Sequence, residues 1–480
     1  MNTRRVLHIL GQLLFILAGA QLVPLVWCLE AGGAAAAPGL AIGAAASAGI
    51  GLACRRLGST TGELYRREGV LIVVGAWLFA SLTGAIPYVV SGAIPSVIDA
   101  LFESASGFTT TGASILVDIE AVGRPLLFWR SFTQWLGGIG IVVLFVALLS
   151  ELGPGARFLF KLEVPGPKAE ILHARVQETA LALFRIYVAL TLVEVVLLLV
   201  LGVGVYDALT HSFSTLSTGG FSPHSDSIAG FGASVKLVVM LFMIAAGVNF
   251  SLYYTLLRRR DLIALRDIEL RVYAAIVVSA AAIVAFDLAL AGTGGADTAV
   301  LDAAFQVVSI LTTTGFSTAD FSQWPSLAVA VLVGLMLVGG CAGSTAGGVK
   351  IVRLLIAWKA ALREVRLTFS PNAVIAVAVG RGTVPEDSVR GVVGLLILWV
   401  TAWGFGAILL AVGDVDILTA ATASIATLSN IGPGLAGVGP TENFAFFAPW
   451  QKLVMVGLMW LGRLEFFALL SIFQPQFWRR

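Results

Sequence analysis

The sequence predicts an all-α integral membrane protein organised as a fourfold repeat. Three observations carry that prediction. Of 480 residues, 58% are hydrophobic and only 12% charged, with a mean hydropathy of +0.94, whereas soluble domains are about a quarter charged. Apolar runs recur from end to end, many of them long enough for a hydrocarbon core, which takes about 20 residues. Four short Ser/Thr/Gly segments share one internal spacing.

The clearest apolar runs are 6–29, 69–90, 129–149, 186–203, 235–257, 272–291, 391–412 and 452–473, with a further one near 35–54. Nothing between them is long and polar enough to fold as a soluble domain, so a soluble regulator would be a separate polypeptide. The basic start followed by an apolar run resembles a secretory signal. The run is too long for a signal core and a second hydrophobic segment follows, so a retained helix is expected. Cys28, Cys54 and Cys341 lie in or beside apolar segments and suggest neither a disulfide framework nor a metal cluster. Trp27 precedes Cys28, where a lipid-attachment site wants a small residue.

Charge is sorted by loop. About 24 of the 30 Lys and Arg fall at 4–5, 55–67, 157–175, 258–271, 350–390 and 479–480. The intervening loops carry Asp99, Asp118, Glu120, Asp207, Asp226, Asp297, Asp302, Asp320, Asp414, Asp416 and Glu442. By the positive-inside rule the basic face is cytoplasmic and both termini are inside. An acidic outer face would concentrate cations at a pore mouth.

The repeat comes next. The segments end in Thr109-Thr110-Thr111-Gly112, Ser217-Thr218-Gly219-Gly220, Thr312-Thr313-Thr314-Gly315 and Ser429-Asn430-Ile431-Gly432. In each, an alanine (Ala100, Ala208, Ala303, Ala420) stands twelve residues before the closing glycine. Ser104, Ser212 and Ser424 share a register eight before it, where the third repeat has Val307. Each segment follows one apolar run, precedes another, and is too short to span. It therefore reads as a re-entrant half-helix entering from the acidic side. Irregular backbone at membrane depth persists only where it is buried in protein or lines a watery path.

The residue types point to a monovalent cation. Backbone carbonyl rings can replace an ion's hydration shell. Helix C-termini favour a nearby cation, and glycine lets a chain approach where a side chain would clash. Thr and Ser hydroxyls can satisfy freed backbone groups or add an oxygen. No carboxylate lies within the four tetrads, which argues against a divalent site.

These pieces resemble the TrkH-type subunits of the Trk/Ktr/HKT potassium transporter superfamily. The matching stretches are SASGFTTTGAS (104–114), HSFSTLSTGGFS (211–222), SILTTTGFST (309–318), TLSNIGPGL (427–435), QWLGGIGI (134–141), GGCAGSTAGGVK (339–350) and GRLEFF (462–467). The resemblance covers the whole chain. It implies four membrane–pore-helix–membrane repeats around a central pore plus two extra N-terminal helices, ten spanning helices and four half-helices in all. The boundaries would be 1–58 for the extra helices, then 59–165, 166–262, 263–370 and 371–480 for the four units. It further implies that the four tetrads form a potassium filter and that the protein is a homodimer in a bacterial inner membrane. A cytosolic TrkA-like subunit would carry the nucleotide (NAD or ATP/ADP), with no cofactor in this chain and no nucleic-acid partner. In related plant transporters serine at the first filter glycine accompanies sodium transport; Gly112 stands there here. The tetrads lack a GYG triplet, and the fourth departs from the Thr-rich pattern at Asn430 and Ile431.

Two features lie below the tetrads. The run 326–338 is too short to span and breaks into GGCAGSTAGG. The family reading is an intramembrane gate formed by Gly339, Gly340, Gly343, Ser344, Thr345, Gly347 and Gly348, with Lys350 at its inner end. Close helix packing through small residues is the competing reading. Arg463 sits within the last apolar run with Glu465 two residues on, a spacing that does not pair directly on a helix. An intramembrane charge usually faces a cavity or a partner. Arg463 is expected on the ion path, opposing cations, with a structural salt bridge as the alternative. Lys452 would snorkel to the outer interface, and His211 and His224 beside the second tetrad read as hydrogen-bonding helpers rather than ligands. No nucleophile–base constellation is present, so an enzyme is not expected. A secondary transporter of another solute, built on broken helices, is the alternative function.

Overall fold

Four of the helices begin where the sequence supplies a side-chain cap. In the computed structural model, Asn2 accepts from Arg5 N at the head of the first helix, Ser96 from Asp99 N, Asp267 from Glu269 N and Asp416 from Thr419 N. The structure describes all residues except 31–32, 62–63, 139, 141–175, 260–265, 293–295, 381, 465 and 480. The basic group at 157–175, Glu465, Asp297's side chain and the end of the run 129–149 lie outside the described residues.

The helices are α1 Thr3–Leu22, α2 Ala37–Leu57, α3 Arg66–Val90, α4 Val97–Phe108, α5 Arg124–Gly138, α6 Val176–Val200, α7 Val205–Leu216, α8 Ala233–Ala246 and α9 Phe250–Arg259. They continue as α10 Ile268–Ala291, α11 Ala296–Leu311, α12 Ser326–Met336, α13 Ile351–Phe369, α14 Glu386–Leu410, α15 Ile417–Leu428, α16 Pro449–Arg463, α17 Phe467–Ile472 and α18 Pro475–Trp478. A two-residue hairpin, Ala378–Val379 against Gly382–Thr383, is the one sheet among the described residues. Helices α1 and α2 lie along one another and against α3. Gly11 and Gly51 make their crossing close: a Cβ on Gly51 would stand 2.9 Å from the Gly11 carbonyl.

One pattern then repeats. A long apolar helix (α3, α6, α10, α14) leads to a half-helix (α4, α7, α11, α15), and the chain returns through a helix that is short or broken. The half-helices are the buried centre: Phe102, Ala105, Ala208, Phe305, Val307, Ala423 and Ala426 have no measurable exposure. Their long partners face outward with Leu192, Val196, Val278, Phe286, Ile397 and Phe405 exposed, as lipid contact requires.

Six described helices are long and apolar enough to cross: Thr3–Leu29, Ala34–Leu57, Arg67–Val90, Ala180–Val200, Ile268–Ala291 and Glu386–Leu410. The returning helices differ because three of them are interrupted. Helices α8 and α9 meet at 91°. Fourteen residues of irregular chain, 337–350, separate α12 from α13. Helix α16 stops at Arg463, and Phe466 takes a positive φ of 47° before α17.

Candidate functional site

The site grows from the ends of the four half-helices. In every one the second tetrad residue turns left-handed: Thr110 (φ 55°), Thr218 (54°), Thr313 (58°) and Asn430 (54°). Its N–H bonds back to the helix (Thr110 to Gly107 O, Thr218 to Thr215 O, Thr313 to Ile310 O, Asn430 to Thr427 O). The third residue's N–H reaches one step further, to Ser106, Ser214, Ser309 and Ala426 O, at 2.8–2.9 Å. This double closure is a Schellman cap, usually built on glycine. A β-branched residue in that conformation is a rare, strained arrangement costing about 1–3 kcal/mol. Asn430 tolerates it more readily, so the fourth tetrad keeps the backbone pattern while departing in sequence.

The closing glycines carry the geometry. All four have positive φ: Gly112 79°, Gly220 76°, Gly315 83°, Gly432 101°. A Cβ on Gly112 would run into the carbonyl of Gly219, on Gly220 into that of Thr314, on Gly315 into that of Ile431, and on Gly432 it would stand 2.9 Å from that of Thr111. Each closing glycine thus touches the third residue of the next segment, and the fourth returns to the first. The four segments form one closed ring. Thr109, Thr111, Thr312, Thr314, Ser217, Ser429, Ile431 and the four left-handed residues are all buried.

The threonine hydroxyls mostly serve the scaffold. Thr109 bonds to Ala105 O (2.7 Å) and pairs with Thr111; Thr312 bonds to Val308 O (2.8 Å) and pairs with Thr314. Asn430 Nδ2 donates to Thr111 Oγ1 (2.8 Å), linking the fourth segment to the first. In the second segment the third residue is glycine because Gln134 occupies the space of a side chain there. Gln134 Nε2 donates to Gly219 O (2.7 Å) and its Oε1 accepts from Phe221 N (3.0 Å).

The Gly-rich stretch lies directly against this ring. Gly347 N donates to Thr313 Oγ1 (2.6 Å), and a Cβ on Gly347 would collide with the Ser429 carbonyl. Gly339 N bonds to Val349 O (2.7 Å), closing the base of the loop, where a Cβ on Gly339 would strike Gly347 O. Gly340 O accepts from Ile351 N (3.3 Å), and Gly343 O from Phe250 N (2.9 Å). Gly343 (φ 75°) and Gly348 (φ 65°) take conformations that favour glycine. Ser344 Oγ bonds to Cys341 O (2.7 Å). Lys350 is buried, with its ammonium against the Ala346 carbonyl. The loop also fills the break between α8 and α9: Cys341 N bonds to Gly247 O and Thr345 Oγ1 to Ala246 O, so carbonyls freed by that bend are satisfied.

Arg463 reaches the same place. Its Nη1 donates to Thr345 O (2.9 Å) in the loop, and its Nη2 to Gly137 O (2.7 Å) and Gly138 O (3.0 Å) at the end of α5. The guanidinium is a tie between loop, α5 and α16. Loop residues 343–350, Leu183, Phe250, Leu428 and Arg463 border a cavity of about 90 Å³.

Sequence reasoning missed several partners. Glu269 Oε1 accepts from both Ala342 N (2.8 Å) and Val352 N (3.1 Å), tying the loop to the first turn of α13. Lys452, expected to snorkel, is buried and paired with Asp99 (2.6 Å). At the half-helix entrances, His224 Nε2 meets Asp207 Oδ1 at 3.1 Å. That bond raises the His224 pKa above its ordinary value and lowers that of Asp207. Hydrogen bonds from Ser225 lower that of Glu120. His211 bonds to Asp207 O and Ser222 Oγ, as a hydrogen-bonding helper would. Among the described residues no group of three His, Cys, Asp or Glu is arranged to hold a metal.

Six or more apolar spans, four half-helices and one closed ring of buried segments define a multi-pass membrane protein of the re-entrant type. The chain belongs to the TrkH family of cation transport proteins, whose family model matches residues 39–480. It is 38% identical to the Trk system potassium uptake protein TrkH of Salmonella typhimurium, with 87% of each chain covered. It is 37% identical to the protein so named from Halomonas elongata over 100% of both chains. The crystal structure of the potassium transporter TrkH from Vibrio parahaemolyticus matches with a TM-score of 0.89 and 33% identity over 100% of both chains. Family membership places the chain among transporters rather than enzymes.

Proposed function

We propose that this chain takes up potassium across a bacterial inner membrane through a single-chain pore whose filter is the closed ring. The observation that carries the reading is that ring, in which each closing glycine abuts the next segment's third carbonyl. Positive φ at the second and fourth residues alternates with negative φ at the first and third. Such alternation cancels the side-to-side switching of carbonyls along an extended chain and gathers oxygens on one face. Neutral oxygens at the closed end of four half-helices suit a monovalent ion. The potassium named for the relatives agrees with that chemistry.

The Gly-rich loop is the gate in this reading. Its Gly347 lies under Thr313 and Ser429, and Arg463, Glu269 and the α8–α9 bend hold it there. The protein works as four pore units after two extra N-terminal helices, as a homodimer with both termini cytoplasmic. A cytosolic TrkA-like subunit that binds the nucleotide moves the loop. The test is growth of a potassium-uptake-deficient bacterium on low potassium. Expression of this chain with its regulator restores growth; failure of the well-expressed protein to do so overturns the proposal in favour of a transporter of another solute.

A further inference from the structure

The register that aligns the four tetrads also aligns a position nine residues before each closing glycine. Glu103, His211, Gln306 and Ala423 stand there, all in half-helices and all buried. The first two reach the residue two places beyond their own closing glycine. Ser114 Oγ donates to Glu103 (3.0 Å), and His211 Nε2 bonds to Ser222 Oγ (3.1 Å). In the third repeat both amide atoms of Gln306 lack a hydrogen-bond partner, and in the fourth Ala423 has no polar group. At this register position the first two segments carry a brace and the last two do not.

The braced half is tied together by one ion pair. Glu103 also accepts from Ile115 N (3.0 Å) and from Arg130 Nε (2.5 Å). Arg130 carries the connection to the second segment: its Nη1 donates to Ser222 O (2.9 Å), and its guanidinium lies 3.5 Å over the Phe221 ring. One turn along α5, on the same helix face, Gln134 clamps Gly219 O and Phe221 N. A continuous chain of bonds therefore runs from Ser114 and Ile115, just beyond the first tetrad, through Glu103 and Arg130 to Ser222, just beyond the second, with Gln134 clamping the second tetrad beside it. A buried ion pair is a weak source of stability, since well-packed apolar residues often do as well. It does supply direction, because the planar guanidinium fixes several partners at once.

We infer that Glu103 and Arg130 are positioning residues that set the spacing of the first and second filter segments, and through it the ion preference of the ring. The inference rests on the filter reading above. A carbonyl ring discriminates by its size and by the number and field of its oxygens, so loosening one junction widens the sizes accepted.

The test measures potassium and sodium flux into proteoliposomes together with the melting temperature of the same preparations. Variants are Glu103→Gln, the doubly neutral Glu103→Gln with Arg130→Gln, Arg130→Lys, and Gln306→Met at the unbraced register position. Expected is a fall of about fivefold in the potassium-to-sodium ratio for the first three. The double variant keeps its folding because no single charge is left buried. Gln306→Met keeps the parental ratio. A double variant that folds and holds the parental ratio overturns the inference, as does an equal fall in Gln306→Met. Gly112→Ser, run alongside, separates the two levels. If it shifts the ratio while the ion-pair variants do not, the filter reading stands and the positioning role falls. If none shifts the ratio, both fall.

Discussion

At the residue scale, Gly112 is an exacting position. It needs positive φ, and the carbonyl of Gly219 lies where its Cβ would be. Gly112→Ser should displace that carbonyl and lower potassium preference over sodium; an unchanged flux ratio would count against the assignment. Arg463 makes a second prediction. It holds Thr345 O to Gly137 O and Gly138 O, so Arg463→Ala should release the loop, raise basal flux and lower the melting temperature together. Arg463→Lys retains charge but not the planar fork, and should also raise flux. If charge alone mattered, the lysine variant would behave like the parent. His224 and Asp207 set a pH window. The folded His224 pKa is raised and that of Asp207 lowered. The histidine contribution is full below its ordinary value and lost as pH rises through the raised one. The aspartate contribution is present above its ordinary value and lost as pH falls through the depressed one. With both side chains about a third exposed, the pair is worth less than about 1 kcal/mol. Melting curves against pH should lose this small alkaline decline in His224→Gln; persistence of the decline would assign it to another group.

At the element scale, the informative feature is the interrupted return helix. The break at 337–350 was legible because a run of thirteen apolar residues cannot span and ten small residues follow. The bend at Gly247, Val248 and Asn249 was not, since 235–257 reads as one unbroken apolar helix. Its freed carbonyls are satisfied by Cys341 and Thr345, about a hundred positions away, and no local signal announces such a partner. The same holds for Glu103 with Arg130 and for Lys452 with Asp99, 353 residues apart. The tetrads were legible because Thr/Ser/Gly at one spacing recurs four times, yet their left-handed threonines contradict local preference. Deleting residues 340–347 should raise basal flux in a folded protein, because this segment fills the space beneath Thr313 and Ser429. A folded deletion variant no leakier than the parent would favour a packing role.

At the scale of the whole molecule, three layers stack around one site. Half-helices buried at their C-terminal ends hold the ring, long outer helices face lipid, and the loop bridges α8, α10, α12 and α16 beneath the ring. In the proposed function, a regulator need only disturb that bridge to change flux, leaving the ring as it is. The most direct measurement is potassium uptake into proteoliposomes containing the purified chain, in competition with sodium. The account predicts uptake above that of protein-free vesicles, reduced far more by added potassium than by equal sodium. Uptake no greater than in protein-free vesicles, or equal suppression by the two ions, would contradict it.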